Sequence, residues 1–252
     1  MSMQNYSTKQ VNVLIAIQAR SNSTRFPGKI FELIGKKTVL QHVIDAAASA
    51  KFYIEQRSKK SNARCEIAVL HPEGDSNIVS GYKQSATLIA GDEHDVLSRF
   101  IKAKDLLKFD YVVRLTSDCP MVLDYIISKH INTAIYNNLD YVSNVQEECR
   151  QIADGFDVEI MSAKALDWLN ENATTKEERE HVSIAIRTKS PTCLDVGYIS
   201  SRVDSSKIKM SLDTPEDLER IRAYYHEREF KIGIAKKKFN IYGPHKTRIY
   251  EI

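Results

Sequence analysis

A chain of 252 residues with 42% hydrophobic and 27% charged side chains has ordinary globular composition, which excludes a disordered protein, a fibre or a small disulfide-stapled scaffold. Lys and Arg number 36 against 33 Asp and Glu, a formal net charge of +3, so any anion site must be local rather than a whole-molecule field aimed at nucleic acid. The longest apolar run covers residues 13–17, far short of the roughly 20 needed to span a bilayer, and cysteines at 65, 119, 149 and 193 lack metal or disulfide spacing; no membrane segment and a reducing cytoplasm are expected.

In chain order, residues 1–10 read as a polar leader and 11–17 as a buried strand. Residues 38–50 then carry Val39, Leu40, Val43, Ile44 and Ala47 along one helical face, and 65–70 form the next strand. After a turn at His71-Pro72-Glu73-Gly74, a helix is predicted over 75–85, a short strand over 87–90, a helix over 95–109 and a strand of β-formers over 111–116. Alternation of this kind predicts an α/β fold, a doubly wound and mostly parallel sheet.

From residue 141 the rhythm changes. Strands at 141–145 and 157–161 are separated by a polar stretch rather than a helix, which reads as a small arm or insertion. Helices over 163–172 and 175–189 and strands near 193–199 and 209–212 follow. Thr214 as N-cap, Pro215 at the first helical position and Glu216-Asp217 at the positive end of the dipole open a last helix running to about residue 230. The final segment, 231–252, carries six Lys and Arg against Glu251 alone. With no repeat or linker, residues 11–230 are expected to form one domain with an arm region over about 140–200.

The segment richest in chemistry is residues 18–29, directly after the first strand. A loop leaving the carboxyl end of a strand in a doubly wound sheet borders the ligand crevice, and its backbone N–H groups, hydroxyls and cations can enclose a polyphosphate. Arg20, Arg25 and Lys29 make a candidate triphosphate clamp, the arginines as planar forks and the lysine as a mobile point charge. Neither the P-loop spacing nor the dinucleotide glycine fingerprint is present. Asp118 follows a strand and should reach the rim of the same crevice. Taken alone it is as readily a turn residue, and Asp213 as readily a helix cap. Cys119 has no paired base, so a small buried residue is its expected role.

The string 17–29 resembles the signature loop of the cytidylyltransferases related to spore coat polysaccharide biosynthesis protein F, relatives of the synthetases that make CMP-activated acidic sugars. The likeness recurs in order at 91–100, 114–120, 154–159, 179–182 and 212–218. Asn22 and Ser117 stand where that family often has glycine. The resemblance implies a nucleotide-diphospho-sugar transferase fold, CTP as donor, an acidic sugar as acceptor and a homodimer, with Mg2+ held by Asp118 and Asp213. It further implies nucleotide binding by Gln18, Ala19, Arg20, Ser23, Thr24, Arg25, Lys29, Gly91, Asp92, Asp95, Arg99 and Ser117. Catalytic roles fall to Arg20, Lys29, Asp118 and Asp213, and acceptor contacts to Asp157, Glu159, Arg179 and His181, with Arg179 or Arg187 able to grip a carboxylate. The chemistry implied is in-line attack of an acceptor hydroxyl on the α-phosphorus of CTP. A catalytically silent nucleotide-binding scaffold, or an anionic-surface binder working through the basic tail, are the rival readings.

Overall fold

The computed structural model describes residues 10–57, 62–227 and 247–251. Strand β1 (Val11–Gln18) is followed by the two-residue strands β2 (Leu33–Ile34) and β3 (Lys37–Thr38), helix α1 (Val39–Arg57), β4 (Ala63–Pro72), a short α2 (Ser76–Val79), β5 (Thr87–Gly91), α3 (Val96–Leu107) and β6 (Tyr111–Thr116). The second half runs α4 (Asp124–Asn137), β7 (Tyr141–Ser143), β8 (Glu159–Ser162), α5 (Ala163–Asn172), α6 (Lys176–Glu180), α7 (Ile184–Lys189), β9 (Val196–Ser200), α8 (Pro215–Glu227) and β10 (Thr247–Glu251).

The principal sheet has eight strands in the order β10-β9-β7-β8-β6-β1-β4-β5, and only β8 runs antiparallel to its neighbours. It is the expected mostly parallel α/β sheet. In β1 successive side chains enter different layers: Val13, Ile15 and Ile17 join one buried cluster with α1 and α4, while Leu14 and Ala16 join another with α3 and α5. Helices on both faces let an unbroken run such as residues 13–17 bury every side chain.

Strand order places the crevice. From β1 the chain moves outward through β4 and β5, and α3 then carries it back across to pair β6 with the other side of β1. The order reverses beside β1, and loops leaving the carboxyl ends of β1 and β6 diverge there to leave room for a ligand. Residues 18–29 and 117–119 are those loops.

Several expected elements differ. The helix over 75–85 is only the single turn of α2 between short 3-10 turns. The single helix over 175–189 breaks into α6 and α7 at residues 181–183. No strand forms over 209–212, where Lys209 makes one isolated bridge with Asp154. The arm expected after residue 141 corresponds to the loop between β7 and β8, whose flanking strands are built into the sheet. The predicted Thr214 cap is present: Asp217 N–H donates to Thr214 Oγ1, and Asp217 Oδ2 accepts from the backbone N–H of Asp213 and Thr214. The leader, the end of the last helix beyond residue 227 and the tail over 231–246 lie outside the described residues. Residues 247–251 add β10 in parallel to β9.

Candidate active site

The loop after β1 is held from beneath before any ligand arrives. Asp75, buried in the turn after β4, accepts from Ser21 N–H at 2.7 Å and from Ser21 Oγ at 2.5 Å. Gly28, at φ 72°, donates its N–H to the Ser21 carbonyl at 2.8 Å and closes the loop over itself. Asn22, where glycine was the family habit, keeps negative φ and donates its side-chain amide to Glu93 at 3.3 Å.

Arg99 supports the same loop from inside. Its guanidinium, 2% exposed, donates to the carbonyls of Leu70 and Ala19 at 3.1 and 3.4 Å and to that of Glu93 at 3.4 Å. Burial and the nearby Arg20 pull its pKa down to about 10, so it remains charged at neutral pH. A cation is thus fixed in the crevice floor without a carboxylate in direct contact. Gly91 has a packing reason: an added Cβ would lie 2.7 Å from Arg99 Cγ.

Asp118 and Asp213 converge. The Leu212 N–H donates to the Asp118 carbonyl at 2.8 Å, pinning the two segments backbone to backbone. The buried Lys29 ammonium then donates to Asp118 Oδ2 at 2.7 Å, to the Leu212 carbonyl at 2.6 Å and to Asp213 Oδ1 at 3.2 Å, using all three of its protons. Arg25 also meets Asp213 Oδ1, at 2.7 Å, and Lys209 meets Oδ2 at 3.1 Å. Burial pushes the Asp213 carboxyl up, but hydrogen bonds and charge from Lys209 and Lys29 outweigh it and hold the pKa below the usual range. Gly155, at φ 97°, secures the approach of this segment, since a Cβ there would fall 2.3 Å from the Met210 backbone.

These groups line a cavity of about 260 Å³ that includes Gln18, Ala19, Arg20, Ser23, Thr24, Arg25, Lys29, Arg99, Ser117, Asp118 and Asp213 from the expected set. Gly91, Asp92 and Asp95 do not line it. Asp92 Oδ1 accepts from the backbone N–H of His94 and Asp95, and Asp95 caps α3 by accepting from Ser98 N–H, so both carboxylates serve the turn and the helix start.

A second cavity, also about 260 Å³, adjoins the first through Arg114, Thr116 and His181 and adds Arg150, Asp157, Glu159 and Arg187. Glu159 is 1% exposed and engaged at both oxygens: Arg114 donates to one, and the Tyr141 and Ser183 hydroxyls donate to the other. It shapes the wall rather than offering a free oxygen. Asp157 meets Arg150 at 2.5 Å, yet burial, with help from Asp154 and Glu159, pushes its carboxyl up to about 6. Arg179 lines neither cavity; it pairs with Asp95 at 2.7 Å and donates to the Ala173 carbonyl. Arg187 does reach the second cavity, and its Nε is buried without a partner among the described residues. Burial also pushes the Cys119 thiol well above its ordinary value, in keeping with an inert core residue.

Sequence reasoning missed Asp75, Arg114 and Arg150. Asp75 and Arg114 had a legible signal, each standing on or just after a strand that ends at the crevice.

The family model described as cytidylyltransferase matches residues 14–239. The chain belongs to the cytidylyltransferase family. It is 29% identical to spore coat polysaccharide biosynthesis protein SpsF of Bacillus subtilis, over 86% of this chain and 87% of that one. It is 22% identical to the 3-deoxy-manno-octulosonate cytidylyltransferase of Solibacter usitatus, over 89% and 96%. A solved cytidylyltransferase from Leptospira borgpetersenii superposes with a TM-score of 0.74 at 26% identity, over 86% and 87%. Among the described residues no helix is long and apolar enough to cross a membrane.

Proposed function

We propose that this cytidylyltransferase moves CMP from CTP to a hydroxyl of an acidic sugar and releases pyrophosphate. One observation carries the reading: a buried ammonium ties Asp118 to Asp213 directly beneath a loop bearing two exposed arginines. The acceptor oxygen attacks the α-phosphorus, the bond from that phosphorus to the bridging oxygen breaks, pyrophosphate leaves and the hydroxyl proton passes out of the acceptor cavity. The chain's task is positioning and charge neutralisation. Arg20, Arg25 and Lys29 hold the β- and γ-phosphates. Ser23, Thr24, Ser117 and the loop backbone, with Arg99 in the floor, support the rest of the nucleotide.

Asp118 can offer an oxygen to a hard divalent cation, and Asp213 can do so by exchanging one of its contacts with Lys29, Arg25 or Lys209. One oxygen of Asp118 is taken by Lys29, while the other meets only the Cys119 thiol, at 3.8 Å, among the described residues. Among those residues no group of three or more His, Cys, Asp or Glu side chains is placed to hold a metal ion by itself. Two carboxylates completed by phosphate oxygens and water suit magnesium that arrives with the nucleotide. When bound, it would neutralise charge on the α-phosphate.

The acceptor occupies the second cavity, its carboxylate facing Arg187 and its hydroxyl side facing His181 and Asp157. The octulosonate name of the Solibacter relative and the uncommitted Arg187 Nε support an acidic sugar. The name of the Bacillus relative supports use of the product in a surface polysaccharide. Work in the cytoplasm as a homodimer completes the reading, and light scattering on the full chain tests the second. The decisive experiment follows pyrophosphate release from CTP and Mg2+ with a panel of eight- and nine-carbon sugar acids and their neutral counterparts. Acid-dependent release is expected; release with neutral sugars alone, or none with any acceptor, overturns it.

A further inference from the structure

We infer that Val182 is a strained pivot that aims the His181 imidazole into the junction between the two cavities. Val182 takes φ 57°, in the left-handed region, and is β-branched and fully buried. Such a residue is a genuine outlier there, because its branched Cβ crowds the backbone carbonyl. The turn around it is as tight as a chain can make: Ser183 N–H donates to the His181 carbonyl at 2.7 Å, a three-residue turn of the strained kind.

What holds this conformation is visible on both sides. Ahead of it, Arg179 is tied to Asp95, Glu180 meets Arg20 at 3.2 Å, and the α6 bond from His181 N–H to the Glu177 carbonyl is kept at 2.9 Å. Behind it, the buried Ser183 donates its hydroxyl to the buried Glu159 carboxylate, and the Ser183 carbonyl accepts from Ile186 N–H at 3.0 Å as α7 begins. The Val182 side chain itself packs among Ala185, Ile186 and the core beside α5. Strain persists where surroundings over-determine it, and such sites concentrate where geometry matters for function.

The side chain that gains is His181. It is exposed, lines both cavities and makes no hydrogen bond recorded among the described residues, whereas its neighbours Arg179, Glu180 and Ser183 are all engaged. Because Ser183 is anchored on Glu159 and starts α7, the backbone turn at Val182 sets the direction in which α6, with His181 at its end, stands over the junction; a helical Val182 would reorient α6 and His181 relative to that anchor. With the acceptor in the second cavity, His181 accepts a hydrogen bond from its hydroxyl and points that oxygen toward the α-phosphorus. This last step rests on the proposed function; the pivot itself does not.

The test compares full-length wild type, Val182→Gly and Val182→Ala. Both variants lose the same packing apart from one methyl group, but only glycine is free at positive φ. At an ordinary position glycine is the less stable of the two. Here the glycine variant should melt about 2–4 °C above the alanine variant, and the opposite order removes the strain from the argument. Nuclear magnetic resonance of the His181 ring is then followed as CTP and Mg2+ are added without acceptor. The wild-type ring signal should shift on saturation, and the glycine variant should lose at least half of that shift while its CTP affinity changes less than about twofold. Equal shifts in both overturn the pivot. Steady-state turnover with CTP and 3-deoxy-manno-octulosonate should show kcat/KM for the acceptor falling on the order of tenfold in the glycine variant; unchanged values overturn the positioning role. Absence of wild-type turnover on that acid counts against the acceptor reading, and the melting order and ring shifts still decide the pivot.

Discussion

The two cavities share a wall but hold their charges in opposite ways. In the first cavity, proposed to hold the nucleotide, the outer cations sit at the rim on exchangeable partners: the Arg25 side chain is 64% exposed on Asp213, and that of Arg20 46% exposed on Glu180. In the second cavity, proposed to hold the acceptor, the central charge is sealed, with the Glu159 side chain 1% and that of Arg114 13% exposed. Exposed pairs contribute little, about 0–1 kcal/mol, and yield readily to a polyphosphate. Breaking a buried pair leaves an uncompensated charge and costs about 3–5 kcal/mol. One half of the site is built to exchange partners and the other to keep its shape.

The comparison breaks most visibly at the two carboxylates of the first cavity. Asp118→Ala and Asp213→Ala should each lower turnover on the order of 10²–10³-fold, measured as pyrophosphate release, with a smaller accompanying fall in melting temperature because each removes a partner from the buried Lys29 ammonium. Near-normal turnover in Asp213→Ala would remove that residue from the reaction and leave it a partner of Lys209. Glu159→Ala should do the reverse in kind: a loss of about 3–5 kcal/mol of stability, read by denaturant unfolding, because Arg114 and the hydroxyls of Tyr141 and Ser183 lose a shared acceptor. Stability unchanged in Glu159→Ala would make the acceptor wall as adaptable as the nucleotide rim.

The sheet was legible because residues 13–17 and the helical spacings of 39–47 and 96–106 write burial directly into apolar periodicity. The loop of residues 18–29 was legible for a different reason, since Ser, Thr, Arg and Lys crowd into the turn after the first strand. The break between α6 and α7 left no such mark: Val182 suits a helix pattern, and only tertiary contacts of Ser183 with Glu159 force it out of one. Asp92 and Asp95, expected at the nucleotide, here hold the turn and cap α3, and an acidic turn before a helix looks the same in sequence whether it faces a ligand or caps its own backbone. Arg179 and Arg187 lie on similar helical segments, and which one is spent on a structural carboxylate depends on where α3 begins, a fact of packing rather than of local sequence.

Smaller effects sharpen the contrast. Arg20→Ala should weaken CTP binding on the order of tenfold by equilibrium titration, the loss of one charge-assisted phosphate contact, while melting shifts by a degree or two at most because the Glu180 pair is exposed. Unchanged CTP affinity would make the loop ordinary surface.

The finest test is a pH dependence in the acceptor half. Asp157 has its carboxyl raised to about 6 by burial, against an ordinary value of 3.8. Between those values the folded chain holds this proton more often than the unfolded one, so the contribution to stability is full below pH 3.8 and is lost as pH rises through 6. Asp157→Asn keeps the size and removes the titration. Its melting temperature relative to wild type should therefore climb by a few degrees from pH 4 to pH 7, and a parallel pair of curves would mean that Arg150 keeps Asp157 ionised throughout. The same protonation removes a negative charge beside an anionic acceptor, so wild-type KM for the acid should fall as pH drops below 6, a trend the asparagine variant should lack. CTP affinity should track the phosphate's own ionisation. An acceptor KM that follows pH while CTP binding in the asparagine variant stays like wild type would locate the titrating group on the sealed side of the shared wall.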